Sequence, residues 1–322
     1  MDATLRELAE RKGLLVGAAV SPERIETEET YREVLAREFN CLVAENAMKG
    51  RYLQPERGRF HFEEADRMVD FALEHGMKVR GHTLVWHTQQ PDWFMDGDFS
   101  RSEALEVLRE HVQTVVDHFR GRVFAWDVVN EGVGDEGPLL RQNSPWFKAI
   151  GRDYIKRAFR WAREADPEAL LFYNDYDIAA VQSKTDRVAR LVGELLDWDV
   201  PIDGVGFQHH VSAQDAPGYE VVRRKMERFG EMGLTVHVTE MDSGIPAEAS
   251  EEDLELQAEV YGGVVRAALD SGNCPSVTFW GFTDRYSWIP SFTDGEFDHA
   301  LIFDRDYAPK PAYRAIADAL GR

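Results

Sequence analysis

One kind of unit recurs along the chain: a short apolar run, a loop of aromatic and polar residues, then a stretch whose apolar positions return at helical spacing. The apolar runs lie at 14–20, 39–44, 78–82, 123–129, 170–173, 204–208, 234–239 and 276–280. The helix-period stretches lie near 27–37, 62–75, 101–119, 147–165, 183–198, 218–230, 251–271 and 311–320. In 62–75, Phe62, Ala65, Met68, Val69, Ala72 and Leu73 form one stripe, and Gly76 closes the helix. Strict strand–helix alternation predicts parallel strands joined by crossover helices. Eight is the number at which such a sheet closes around a filled interior. The expected fold class is therefore α/β, a (β/α)8 barrel, with residues 1–322 as a single domain. A doubly wound open sheet is the structural alternative. Against it, Gly17-Ala18-Ala19-Val20 does not form the Gly-rich phosphate turn that often follows the first strand of that fold.

Composition narrows the partners. A net charge of −21 argues against nucleic acid and anionic membranes, both of which call for a basic patch. No apolar run approaches the roughly 20 residues of a membrane-spanning helix, and the first residues carry no signal-peptide pattern. The reading is a soluble protein, cytoplasmic, or secreted with its signal removed. Monomer and homodimer both stay open. Cys41 and Cys274 sit in apolar runs and read as buried free thiols rather than a disulfide.

Active-site residues of such barrels project from the C-terminal ends of the strands. Here those ends carry Glu45-Asn46 with Lys49 beyond, then His82 running on to Trp86-His87. Asn130-Glu131, Gln208-His209-His210, Glu240 with Asp242, and Trp280 follow. Val128-Val129-Asn130-Glu131 and Val236-His237-Val238-Thr239-Glu240 each drive an apolar strand into a glutamate, on strands four and seven across the barrel. Paired carboxylates flanking a cleft are the equipment for cleaving a glycosidic bond. An isolated strand-end glutamate is more often a salt-bridge partner; two in this company are not. Trp86, Trp280 and Trp288 lie where sugar rings could stack, whereas Trp126 and Trp161 read as core.

At these residues the chain resembles glycoside hydrolase family 10, the xylanases. The motifs are Gly17-Ala18-Ala19, Glu45-Asn46-Ala47-Met48-Lys49, Gly81-His82-Thr83-Leu84-Val85-Trp86-His87 and Trp126-Asp127-Val128-Val129-Asn130-Glu131. Tyr173-Asn174-Asp175-Tyr176, Gly206-Phe207-Gln208-His209-His210, Thr239-Glu240-Met241-Asp242, Trp280-Gly281-Phe282-Thr283-Asp284 and Lys310-Pro311-Ala312-Tyr313 follow in order. The resemblance implies a retaining endo-β-1,4-xylanase acting on xylan or xylo-oligosaccharides, with no metal and no cofactor. It marks Glu131 as acid/base and Glu240 as nucleophile, with His210 and Asp242 as a hydrogen-bonded chain behind Glu240. Asn130 is implied at the sugar 2-hydroxyl. Glu45, Asn46, Lys49, His82, Trp86, Gln208, Trp280 and Trp288 are implied to grip sugar on the non-reducing side, and Tyr176 to stack on the leaving side. Glu45, Gln208 and Trp280 are implied to crowd the place of a hydroxymethyl group. Gly50 replaces a usual aromatic and is expected to loosen the outer cleft; Asp177 stands where asparagine is common. The lone Cys274 and the plain N-terminus look like the intracellular members of the family, which act on short oligosaccharides.

Three rival readings stand beside this one. A metal-dependent barrel hydrolase would use some of His82, His87, His209, His210 and His237, but their spacing matches no metal motif. A β-1,4-glucanase or cellobiohydrolase-like activity is the nearest catalytic alternative. A non-catalytic xylan-binding barrel is the third.

Overall fold

The computed structural model describes residues 3–322. Eight parallel strands form the sheet: β1 (Leu15–Val20), β2 (Cys41–Ala44), β3 (Lys78–Val85), β4 (Ala125–Asn130), β5 (Leu170–Asp175), β6 (Gly204–Phe207), β7 (Thr235–Pro246) and β8 (Ser276–Phe279). Each pairs with the next, and β8 returns to β1 with Leu15 opposite Ser276, so the sheet is a closed (β/α)8 barrel. The strands read as near-continuous apolar runs because helices cover them outside and side chains fill them inside. Trp126 on β4 and Phe172 on β5 are both fully buried. Trp161 is only half-buried, at the edge of the helical layer rather than in its core.

All eight helical stretches are present, with informative differences. The stretch at 147–165 is two helices, Pro145–Ile150 and Asp153–Ala165. They break at Gly151, whose φ of 81° suits glycine and ends the first helix. In Glu63–Glu74 the stripe of Ala65, Met68, Val69 and Ala72 is buried as expected, but Leu73 falls at its margin and is 47% exposed. Phe71 is buried instead, its ring 4.2 Å from that of His75.

An additional helix, Leu5–Lys12, precedes the first strand. Its mostly polar sequence hides it, but Thr4 and Glu7 form a reciprocal capping box, and Gly13 closes it in the left-handed region. Leu5 and Ala9 are buried, and Arg6 donates to the carbonyls of Ala36 and His75.

The barrel interior below the cleft is charged. Arg80 on β3 pairs with Asp127 on β4 and lies 2.8 Å from His237 Nδ1 on β7, a strand it does not adjoin. Phe172 stacks under the guanidinium at 4.6 Å. Burial opposes ionisation of Asp127, but Arg80 and His82 outweigh it and hold the carboxyl below its usual range. Burial and Arg80 together push His237 well down, so it is neutral. Removing one partner of a buried pair of this kind typically costs ~3–5 kcal/mol.

Cys41 and Cys274 are buried free thiols, pushed up to about 12 by burial. Among the described residues, no helix is long and apolar enough to cross a membrane.

Candidate active site

The C-terminal ends of the strands surround an open cleft of about 1340 Å³, counted out to its mouth. Glu45, Asn46, Lys49, His82, Trp86, Asn130, Glu131, Tyr176, Gln208, His210, Glu240, Trp280 and Trp288 all line it. Thus every predicted site residue except Asp242 reaches the cleft surface, and Asp242 lies directly behind it. Glu131 and Glu240 stand three strand positions apart around the barrel rather than diametrically opposite.

Local backbone distortions aim these side chains. The β4–β5 register shifts between Asp127 and Val129, just before Asn130 and Glu131. A bulge at such a point re-aims the residues that follow. Glu131 itself sits in the left-handed region, φ 55°, as do Gln89, Asp177 and His209 at the neighbouring strand ends. That conformation costs a non-glycine residue roughly 1–2 kcal/mol and persists only where surrounding contacts enforce it. For Glu131 they do: its N–H donates to the Asn174 carbonyl at 2.9 Å, and its own carbonyl accepts from Arg141 Nε at 2.9 Å.

The two carboxylates have different surroundings. Glu131 is partly exposed and accepts from neutral donors: Trp86 Nε1 at 2.8 Å, Gln208 Nε2 at 3.0 Å and Asn130 Nδ2 at 3.2 Å. Glu240 is 5% exposed, accepts from Asn174 Nδ2 at 2.6 Å, and lies 3.1 Å from His210 Nε2. His82 Nδ1, bound to Asp127 at 3.0 Å, is 3.7 Å from the other side of the same carboxyl. Burial alone would raise Glu240; the positive field of His82 and the bond to His210 outweigh it, so its carboxyl lies below the usual range.

Behind Glu240, His210 Nδ1 is in ion-pair contact with Asp242 Oδ2 at 2.9 Å. The same oxygen accepts from the Trp288 indole at 2.7 Å. Burial would depress His210, but Asp242 and Glu240 together hold it up at about 10. The imidazole is therefore a cation at neutral pH. Glu240, His210 and Asp242 follow one another as expected, but the His210–Asp242 link is an ion-pair contact rather than an aligned hydrogen bond, and Trp288 anchors Asp242 while also forming part of the cleft wall.

Asn174 is the residue that sequence reasoning left without a role. Its amide N donates to Glu240 and also to Asn130 Oδ1 at 2.8 Å, while its Oδ1 accepts from Thr239 at 2.7 Å. Gln208 donates to that same Asn130 oxygen at 3.0 Å. A chain of amides thereby joins the two carboxylates. A polar residue at the end of the apolar strand β5 was the available signal. Gly206 makes room for it, since a Cβ there would fall 2.1 Å from Asn174 Oδ1.

Glu45, Lys49 and Trp280 form one wall. Lys49 is nearly buried, donates to Asn46 at 3.0 Å, and lies 5.0 and 5.6 Å from the rings of Trp86 and Trp280. Burial lowers Lys49, partly offset by the charges of Glu240 and Glu45, and raises Glu45, partly offset by Lys49. Gln208 lines the same cleft, its amide nitrogen donating to Asn130 and Glu131. Beside Gly50 stands Gln90, whose Oε1 would lie 3.2 Å from a Cβ at that position. Tyr176 and Asp177 also line the cleft, as does the 69%-exposed Phe292 beside Trp288, a rim aromatic that the motifs did not flag.

The five histidines are dispersed. His82 and His210 attend Glu240, and His87 Nδ1 is 3.6 Å from Glu131. His237 meets Arg80, and His209 is buried, lowered to about 4 by that burial. Among the described residues, no three His, Cys, Asp or Glu side chains converge as a metal site.

Two unlike carboxylates over a cleft rimmed with indoles and amides are the equipment of a glycoside hydrolase, and the likeness to known proteins puts the chain in that class. More particularly, the chain belongs to glycosyl hydrolase family 10, whose model matches residues 4–319. It is 45% identical over 322 residues to endo-1,4-beta-xylanase B of Thermotoga neapolitana, covering 99% of this chain and 92% of that one. Native xylanase 10B from Thermotoga maritima superposes with a TM-score of 0.95 at 46% identity, covering 99% of this chain and 98% of that one. Xylanase 10B from Thermotoga petrophila, solved in complex with xylobiose, gives 0.96 at 45% identity, covering 100% and 98%.

Proposed function

We propose that the protein is a retaining endo-β-1,4-xylanase in which Glu131 is the acid/base and Glu240 the nucleophile. The observation that carries the assignment is the asymmetry of the pair. Glu240 is buried, its carboxyl held below the usual range 3.1 Å from an imidazole that Asp242 and Glu240 itself hold up; Glu131 is nearer solvent and touches only neutral donors among its hydrogen-bond partners. Substrate chemistry comes from the relatives, which are named as xylanases and one of which was solved with xylobiose.

The reaction follows from the two environments. In the first step a Glu240 oxygen forms a bond to the anomeric carbon as the bond to the leaving oxygen breaks. Glu131 delivers its proton to that oxygen, so the leaving sugar departs neutral. Forming the ester removes the anion beside His210 and leaves Glu131 as a carboxylate. In the second step Glu131 takes a proton from water, the hydroxyl attacks the anomeric carbon, and Glu240 departs as the anion His210 stabilises. Two inversions give net retention. Asn130, fixed by Asn174 and Gln208, stands between the carboxylates, where a sugar 2-hydroxyl would meet it.

Proton NMR of the first products of xylohexaose cleavage tests this reading. The β-anomer should appear first and equilibrate later. Initial α-anomer would overturn the two-step mechanism. Comparing nitrophenyl xylobioside with nitrophenyl cellobioside should favour the xylobioside; the reverse preference would reassign the enzyme as a glucanase.

A further inference from the structure

The loop that follows Glu131 returns on itself, with Val133 bridged to Leu140, and ends at Arg141. The Arg141 side chain then reaches back across the loop it closes. Its Nε donates to the Glu131 carbonyl at 2.9 Å, and its Nη2 donates to the Tyr176 hydroxyl at 2.6 Å. The Tyr176 hydroxyl in turn donates to Asp135 at 2.7 Å. Lys184, nearly fully buried, sits 4.0 Å from the Tyr176 ring and is held by Asp135 at 3.0 Å and Asp175 at 2.9 Å. One guanidinium therefore spans the strained backbone of Glu131 and a ring that faces the cleft.

We propose that Arg141 is a positioning residue that fixes the left-handed backbone of Glu131 and couples the aim of its carboxyl to the leaving-side platform Tyr176. This rests on the assignment of Glu131 as acid/base. The φ of 55° directs the Glu131 side chain into the cleft, and only two polar contacts grip that peptide: the Asn174 carbonyl on one side and Arg141 on the other. A sugar stacking on the Tyr176 ring would rest on the side chain whose hydroxyl accepts from Arg141. Occupancy of the leaving side thus reaches the proton donor through one side chain. A lysine cannot replace it, because an ammonium lacks the planar fork that serves two acceptors in fixed directions.

The test is a leaving-group series on aryl β-xylobiosides with the wild type, Arg141→Ala, Arg141→Lys and Tyr176→Phe. General acid assistance contributes about 10²–10⁴-fold where the leaving group is poor and little where it is good. Arg141→Ala should lose about 10–100-fold in kcat/KM on phenyl xylobioside and less than about 3-fold on dinitrophenyl xylobioside. On the latter, kcat and KM should fall together as the second step slows. Arg141→Lys should behave like the alanine variant, and Tyr176→Phe should show the same selectivity with a smaller loss. An equal loss on both leaving groups, or rescue by lysine, would overturn the proposal. If Glu131→Ala is selective in the same series while Arg141→Ala is not, only this inference falls. If Glu131→Ala is itself unselective, the acid assignment falls first.

Discussion

Nε2 of His210 lies 3.1 Å from Oε2 of Glu240, and the acidity of each depends on the other. His210 is held at about 10 in the fold against an ordinary 6.5. Its contribution to stability is therefore complete below about pH 6.5 and is lost as pH rises through about 10. Glu240 moves the other way: lowered from 4.5, it stabilises the fold above that value, and the contribution disappears as pH falls through its folded pKa. His210→Asn removes the cation. The acid limb of kcat/KM on a dinitrophenyl xylobioside should then move toward neutral pH, and the loss of Tm should be larger at pH 6 than at pH 10. An unmoved acid limb would show that His210 does not set the ionisation of Glu240.

Asn174 gives Glu240 its shortest hydrogen bond, 2.6 Å. Bonds to a charged group contribute ~1.5–3 kcal/mol, which at about 1.4 kcal/mol per tenfold is roughly a 10–100-fold effect. Asn174→Ala should lower kcat by that factor with KM nearly unchanged. Asn174→Asp should lose more, since it sets a second anion against the nucleophile. Steady-state kinetics on variants whose circular dichroism matches the wild type checks both, and an alanine variant with full kcat would remove Asn174 from the mechanism.

The eight strands and eight helical stretches were legible because burial imposes a period on each of them. What escaped has a physical reason in each case. The helix Leu5–Lys12 is too short and polar to show a stripe; only its caps mark it. The break at Gly151 depends on one positive φ, invisible in a hydrophobic pattern. At the site, residues that end strands as charged or aromatic side chains stood out, whereas Asn174 and Arg141 act through contacts 35 to 66 positions away or through backbone carbonyls. Gln208 was legible as a site residue but not as a partner of Glu131, because that choice is made by the barrel's geometry rather than by local sequence.

Glu131→Ala separates the two chemical steps. Without the acid, departure of a good leaving group still proceeds, but no base activates water afterwards. Dinitrophenyl xylobioside should give a burst of about one equivalent per enzyme followed by a turnover slowed roughly 10²–10⁴-fold, with a lowered KM. Mass spectrometry of the quenched burst should find a xylobiosyl adduct on the peptide containing Glu240. Stopped-flow traces with no burst, together with the same loss on phenyl and dinitrophenyl substrates, would mean that Glu131 is not the acid.

Phe292 ends a one-turn helix, Ile289–Phe292, that follows directly on Trp288. Its ring centroid is 4.6 Å from that of Trp288, yet it is 69% exposed on the cleft side. The turn is secured without this ring, since Thr293 donates to the Ile289 carbonyl at 2.9 Å. The half-buried indole and the exposed phenyl, tilted 43° to one another, offer a sugar an apolar surface to stack on. Phe292→Ala should therefore leave Tm unchanged, since surface substitutions of this kind usually fall within about 0.5 kcal/mol. KM for xylopentaose or xylohexaose should rise several-fold, while KM for an aryl xylobioside, which does not extend to the rim, should stay the same. A uniform rise across all chain lengths would place the ring beside the central sugar instead, and no rise at any length would leave Phe292 outside the binding path.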